Sequence, residues 1–307
     1  MDKQQLEEIL ACLDQRKWLL HFYPDCYAVF LLEQWLKQRG SATVRDIKAS
    51  PFAKLLNKPI LKGLIATQPV LDCKSLDQVW PTTVEPLVVT LGRWAFNQTS
   101  RPGFNLVLQV NLNNRWNYAL QRMLSMSANQ IFDCGHPINT DRETTLGWVR
   151  LDLDFDTNEI LIEEVQSDLV RWLRQIRLSA EAAQKRGDEQ FRFYSHSIET
   201  QPVIEGWYYF DSMVMNQWQE ALLWSALWFC EHELGIDNIY YHTFDTGVLL
   251  KGINYTKPPR SLYTDLPKKF CFELTDNPPQ FIAEDKRAKR RTQWSCLSSY
   301  YEKGWST

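Results

Sequence analysis

Two segments of alternating polarity, Trp148–Phe155 and Ile160–Gln166, flank the turn residues Asp156-Thr157-Asn158. Alternation with period two sends successive side chains to opposite faces of a strand, and a short polar turn joins antiparallel partners. A β-hairpin therefore lies near the middle of the chain, and an all-helical fold is excluded. Phe104–Leu112 alternates in the same way, and Leu87–Leu91 is a short apolar run. Ile239–His242, Phe270–Leu274 and the aromatic stretch Pro202–Val214 also read as strands.

Helical periodicity covers the rest. Apolar residues recur at three- and four-residue steps over 3–39, split by Pro24, and again over 52–64. Ser41–Ile47 reads as a short capped helix. Residues 41–64 fit either a helix-turn-helix or a plain helical bundle. Arg115–Ser127, Leu169 to about Lys185 (stopped by Gly187) and Gln217–Leu234 (stopped by Gly235) read as longer helices, and Ala283–Arg291 as a basic one. The expected organisation is a helical N-terminal domain over 1–80 and an α+β domain over 81–307.

Composition narrows the function classes. The 34 Lys and Arg against 37 Asp and Glu give a net charge of −3, which excludes a general basic coat for nucleic acid. The longest apolar run, Ala221–Cys230, is too short to cross a bilayer. The seven cysteines include no CxxC pair, so reduced thiols in a cytoplasmic setting are expected. No metal site is expected, since Cys230 and His232 do not share a helix face and no HExxH is present.

Two polar groupings carry chemistry. Glu163, Glu164, Gln166, Ser167 and Asp168 fall where a strand passes into a helix. Adjacent positions on a regular strand face opposite ways, so one of Glu163 and Glu164 is expected to point inward, where burial suits a carboxylate to general-base work. Ser167 and Asp168 equally fit a helix cap. The turn holding Gln98, Ser100 and Arg101 offers donors for a phosphate or carboxylate. Trp207 and Tyr209 are aromatic candidates for a cleft wall, or for core.

The segment 217–274 runs helix, Gly235, strand and then Leu262-Tyr263 and Phe270-Cys271-Phe272. It resembles the "lYeklGF"-like signature of the GCN5-related acetyltransferases (GNAT), with Cys271 where that family usually has glycine. The resemblance implies a mixed, mostly antiparallel sheet flanked by helices. It implies transfer of an acyl group from acetyl-CoA or another acyl-CoA to an amine on a small molecule or protein. Glu163 or Glu164 would accept the proton, and Tyr263 would protonate the departing thiolate. The family's pyrophosphate-binding turn would fall at Val214–Gln219, making Asn216, Gln217 and Trp218 the cofactor contacts, although no glycine is present there. A V-shaped opening between strands near 210 and 240 would support the resemblance.

Ile162–Asp168 is also similar to the "IEEIQSD" segment of large phage and mobile-element proteins. That similarity implies the competing class, a non-catalytic interaction or defence-related protein binding a protein or nucleic acid. Lys48, Lys54, Lys58, Arg287, Arg290 and Arg291 would be its phosphate contacts; no membrane contact is expected.

Overall fold

The computed structural model describes residues 1–95, 98–125, 144–254, 257–289 and 293–297. Its strands are β1 (Lys17–Phe22), β2 (Ser41–Thr43), β3 (Val70–Asp72), β4 (Glu85–Trp94), β5 (Asn105–Leu112), β6 (Thr145–Asp154), β7 (Glu159–Gln166), β8 (Gln190–Phe193), β9 (His196–Glu199), β10 (Asn238–His242), β11 (Glu273–Thr275) and β12 (Trp294–Leu297). The hairpin read from the sequence is β6–β7. It sits at the centre of an eight-stranded sheet of order β1-β4-β5-β6-β7-β10-β12-β11, while β2–β3 and β8–β9 form separate ribbons. Every neighbouring pair in the large sheet is antiparallel except β7 and β10. The fold is thus α+β, with a mostly antiparallel sheet flanked by helices.

Leu106, Leu108 and Val110 on β5, Val149 and Leu151 on β6 and Ile162 on β7 belong to the main core. Helices Asp168–Arg186 and Asn216–His232 pack against β6 and bury Leu173, Ile176, Leu222 and Ala226. Their ends follow local rules. Ser167 caps the first by accepting from the Val170 N–H, and Gly187 ends it at φ 79°. The other sheet face is more polar. Register sets Gln109, Trp148 and Gln166 in one row across β5, β6 and β7, and Val107, Arg150 and Glu164 in the next. A smaller apolar cluster of Leu161, Leu250, Ile282, Ala288 and Trp294 completes that face beside β10.

One irregularity decides the site. Across β6–β7, Arg150 pairs with Glu164 and Leu151 with Ile162, so Glu163 is an extra residue. A bulge of this kind bends the strand and re-aims a side chain. Glu163 and Glu164 therefore do not alternate as a regular strand requires. Glu163 reaches the 98–101 loop, and Glu164 pairs with Arg150 of the strand beside it.

Several expectations need correction. Residues 3–39 are not all helical: between Lys3–Cys12 and Cys26–Arg39 lies β1, whose Trp18, Leu20 and Phe22 are buried while Lys17, Leu19 and His21 are exposed. Its hydrogen bonds to β4 tie the N-terminal region into the large sheet. Residues 41–76 include the β2–β3 ribbon and so are not a plain bundle. Pro202–Val214 is not a strand. Thr200–Phe210 is a helix burying Val203, Trp207 and Phe210 at helical spacing, and a wide turn, Asp211–Met215, carries it into Asn216–His232. Bulky aromatics suit a strand by propensity, but tertiary packing set the helical period here. Of 270–274 only Glu273 and Leu274 are in β11, with Cys271 at φ 64° before them. The described part of 283–291 is turns, and β12, unforeseen, inserts between β10 and β11.

Candidate functional site

β7 and β10 pair in parallel from Glu159/Asn238 to Ile162/Tyr241. Beyond that point the bulged β7 continues to Gln166, while β10 ends at His242 and Thr243 caps the helix Phe244–Leu250. The two strands part at their C-terminal ends, and the chemistry-bearing groups gather in this fork.

Glu163 is fully buried, as are His242 and Thr246, and Ser100 is almost so. The Ser100 backbone N–H donates to Glu163 Oε1 at 2.9 Å, and its hydroxyl donates to Oε2 at 2.9 Å. His242 Nε2 lies 3.2 Å from Glu163 Oε2 and 2.9 Å from Ser100 Oγ. On the other side of the ring, Nδ1 faces the Thr246 hydroxyl at 3.1 Å. Because Glu163 only accepts and the Ser100 proton is already directed at Oε2, a proton on Nε2 completes the set.

Burial by itself raises the Glu163 pKa. The hydrogen bond and charge of His242, the charge of Lys251 and the Ser100 N–H outweigh it, holding the carboxyl at about 2. Burial lowers the His242 pKa and prevails over the Glu163 contact, with Lys251 and Arg150 adding to the lowering. At neutral pH the pair is an ionised Glu163 beside a neutral imidazole.

Lys251 closes the fork. Its amine, 5% exposed as a residue, donates to the Glu163 carbonyl at 2.7 Å and to the Tyr263 hydroxyl at 3.4 Å. Tyr241 lies against Tyr263 with ring centroids 5.9 Å apart. Tyr263 also lines an open cleft of about 1360 Å³ with Thr243, Arg260, Lys268, Asp276 and Ser295.

The remaining candidates divide. Ser100 joins Glu163, but Arg101 is engaged in structure. Its guanidinium grips buried Asp152 through Nε at 2.7 Å and Nη2 at 3.0 Å, and Asp152 also takes the Met1 ammonium at 2.7 Å. Gln98 offers its carbonyl to Arg150 at 2.9 Å. Glu164 is paired with Arg150 at 2.8 Å, so it is not a free base. Gln166 donates to Asp168 at 3.1 Å, and Ser167 and Asp168 form the start of the 168–186 helix. Trp207 stacks under Arg177 and Tyr209 packs on Trp116, both within the helical layer rather than at the fork.

Asn216, Gln217 and Trp218 do not form a phosphate-binding turn. The chain is helical on both sides of them, with Met215 at φ −84° and ψ −35°, and only the first turn of a helix leaves N–H groups free. The start of the 168–186 helix is no substitute, since Ser167 caps it and the buried Asp168 carboxylate would repel phosphate. The residues present at 216–218 therefore do not fit the pyrophosphate of CoA.

The basic candidates are mostly committed. Lys58 pairs with Asp25 at 3.2 Å, Lys54 donates to the Lys268 carbonyl, and Arg287 holds Asp285 at 2.6 Å and the Ser100 carbonyl at 3.0 Å. Lys48 is exposed, and Arg290 and Arg291 lie outside the described residues. Among the described residues no His, Cys, Asp and Glu cluster suits a metal, and no helix is long and apolar enough to cross a membrane.

His242 and Lys251 were missed by sequence reasoning. Sequence spacing tests the histidines only as metal ligands, and Lys251 carries no local signal. The position of His242 at the end of a short buried strand was the available clue. Comparison with protein-family models, with curated proteins and with solved structures gives no match.

Proposed function

We propose that the chain is a GNAT-like acyltransferase acting on an amine, with its chemistry at the β7–β10 fork. The observation that carries the reading is the Glu163–His242 pair, 3.2 Å apart at the C-terminal ends of two parallel strands in an otherwise antiparallel sheet. Ligands of open α/β sheets sit outside strand carboxyl ends where connectivity changes direction. The pair, carrying one negative charge, has capacity for one proton. Ser100 Oγ marks the place an acceptor N–H would take, 2.9 Å from both groups.

The roles differ from those the resemblance implied. A carboxylate held near 2 is a weak base at neutral pH, whereas a neutral imidazole keeps one unprotonated ring nitrogen. His242 is the proton acceptor in this reading once its proton lies on Nδ1 toward Thr246, which frees Nε2 to face the acceptor, and Glu163 orients the ring and stabilises its cationic form. An acyl-CoA donor is carried over from the resemblance alone, and no step is assigned to it. Millimolar acetyl-CoA should raise the melting temperature, ligand at about 100 times its Kd giving about 2.7 kcal/mol. With amine acceptors present, thiol release should disappear in His242→Gln. Absence of both a shift and release would end this reading.

The non-catalytic alternative draws on a different observation: Glu163 and His242 are fully enclosed, so an acceptor must first displace the 98–101 loop. A protein partner that binds the folded chain while acetyl-CoA does not would favour it.

A further inference from the structure

A separate pocket opens beside the helix Cys26–Arg39. Phe30, Leu31, Gln34 and Trp35 recur there at three- and four-residue steps and so share one helix face. They look onto Ile239 and Leu297, which are directly opposed in the β10–β12 ladder. Phe52 and Leu227 complete the apolar wall of a half-open pocket of about 130 Å³. Its apolar wall residues are all buried.

Two polar groups of this pocket have unused bonding capacity. Lys37 donates to Gln34 Oε1 at 3.3 Å, and because an ammonium only donates, the amide oxygen is fixed on that side. Gln34 Nε2 is therefore the other end of the amide, buried and without an acceptor. Buried polar atoms of this kind usually mark an absent water, ion or ligand. Glu231, one turn beyond Leu227 on the helix Asn216–His232, brings a carboxylate to the same pocket. Among the described residues it has no ion pair or hydrogen-bond partner. The other lining charges are engaged: Lys37 pairs with Glu33 at 3.3 Å, and Asp237 accepts from Asn158 at 3.4 Å.

We propose that this pocket binds a small uncharged aromatic hydroxyl compound of the phenol class. An apolar cavity of roughly 150 Å³ admits benzene, so a single ring fits a half-open space of this size. Trp35 and Phe52, with centroids 5.9 Å apart and planes at 51°, offer that ring a face and an edge. The ligand hydroxyl both accepts and donates, which matches one free donor, Gln34 Nε2, and one free acceptor, Glu231. The terminal torsion of glutamine is soft, so a small rotation presents Nε2 to the hydroxyl. Other chemistries meet less of this demand. An ammonium would satisfy Glu231 and leave Gln34 unmet. A carboxylate would meet Gln34 but face Glu231 and Asp237, and a plain hydrocarbon would satisfy neither. The site does not depend on the transferase reading.

Phenol is the probe, titrated into the full chain and followed by ligand-observed NMR, with toluene, benzylamine and benzoate as controls. Saturable phenol binding is expected, tighter than that of all three controls. Gln34→Leu should weaken phenol about tenfold by removing the amide donor, while toluene binds equally or better. Leucine is a strong helix former and Gln34 is only half-buried, so the fold should be kept, which thermal melts check. Should that variant not fold, the ranking of the four probes by the wild type decides. No saturable phenol binding, tighter binding of any control, or undiminished phenol binding by Gln34→Leu would overturn the proposal.

Discussion

The Glu163 carbonyl accepts a 2.7 Å hydrogen bond from Lys251, while the Glu163 side chain is held by Ser100 and His242. One bulged residue thus satisfies groups from three distant parts of the chain. A buried network of this kind is strong when complete and costly when one member is removed.

Glu163→Gln should destabilise the fold by about 3 kcal/mol, because the amide cannot satisfy the Ser100 N–H, the Ser100 hydroxyl and His242 together. Urea unfolding of wild type, Glu163→Gln, His242→Gln and the double variant checks this. The double variant should lose less than the sum of the singles, since contacting residues couple. Full additivity would argue against the pairing.

Stability should fall on acidification in two stages. The His242 pKa is lowered from 6.5, so the unfolded state binds more protons just below that value, and stability drops as pH falls from about 6.5. The Glu163 pKa is lowered from 4.5 to about 2, so its contribution is complete above 4.5 and is lost toward 2. Lys251 and Arg150 face the imidazole and act in the same direction as burial. Glu159 and Glu220, raised by burial, oppose the trend by losing stability as pH rises above 4.5. The difference in urea midpoint between pH 7.5 and 5.5 should shrink in His242→Gln.

Asp152→Asn should cost about 3 kcal/mol, as it strips the charge from a carboxylate that receives both Arg101 and the Met1 ammonium. Arg101→Ala should lower the melting temperature in parallel. A variant that kept full stability but lost ligand binding would restore Arg101 to the substrate-binding role that its turn suggested.

Gly147→Ala should destabilise by about 2 kcal/mol through overpacking. A methyl there would stand 2.4 Å from the Gln166 carbonyl and 2.6 Å from Leu222 Cδ1. Thermal melts of the purified variant test this against Gly63→Ala, where nothing lies within 4 Å and, in a helix, alanine is expected to stabilise.

Gln217→Ala should leave any acetyl-CoA response unchanged, because its backbone lies inside a continuous helix and offers no free N–H. A lost response would return the phosphate contact to 216–218.

Local patterns alone determined the β6–β7 hairpin, a cap at Ser167 or Asp168, the helices stopped near Gly187 and Gly235 and the inward turn of one of Glu163 and Glu164. Each depends on neighbours within a few residues: side-chain period, capping chemistry and glycine's access to positive φ. Tertiary structure decided the rest. The helical state of 200–215 came from packing against the 114–124 and 168–186 helices, which no local propensity records. The bulge at Glu163 exists only in register with Arg150 and Leu151 of another strand. His242 and Lys251 reach Glu163 from 79 and 88 residues away. Only the parallel pairing of β10 with β7 brings them there, because contacts between distant segments are fixed by how the sheet closes and not by the order of residues along either strand.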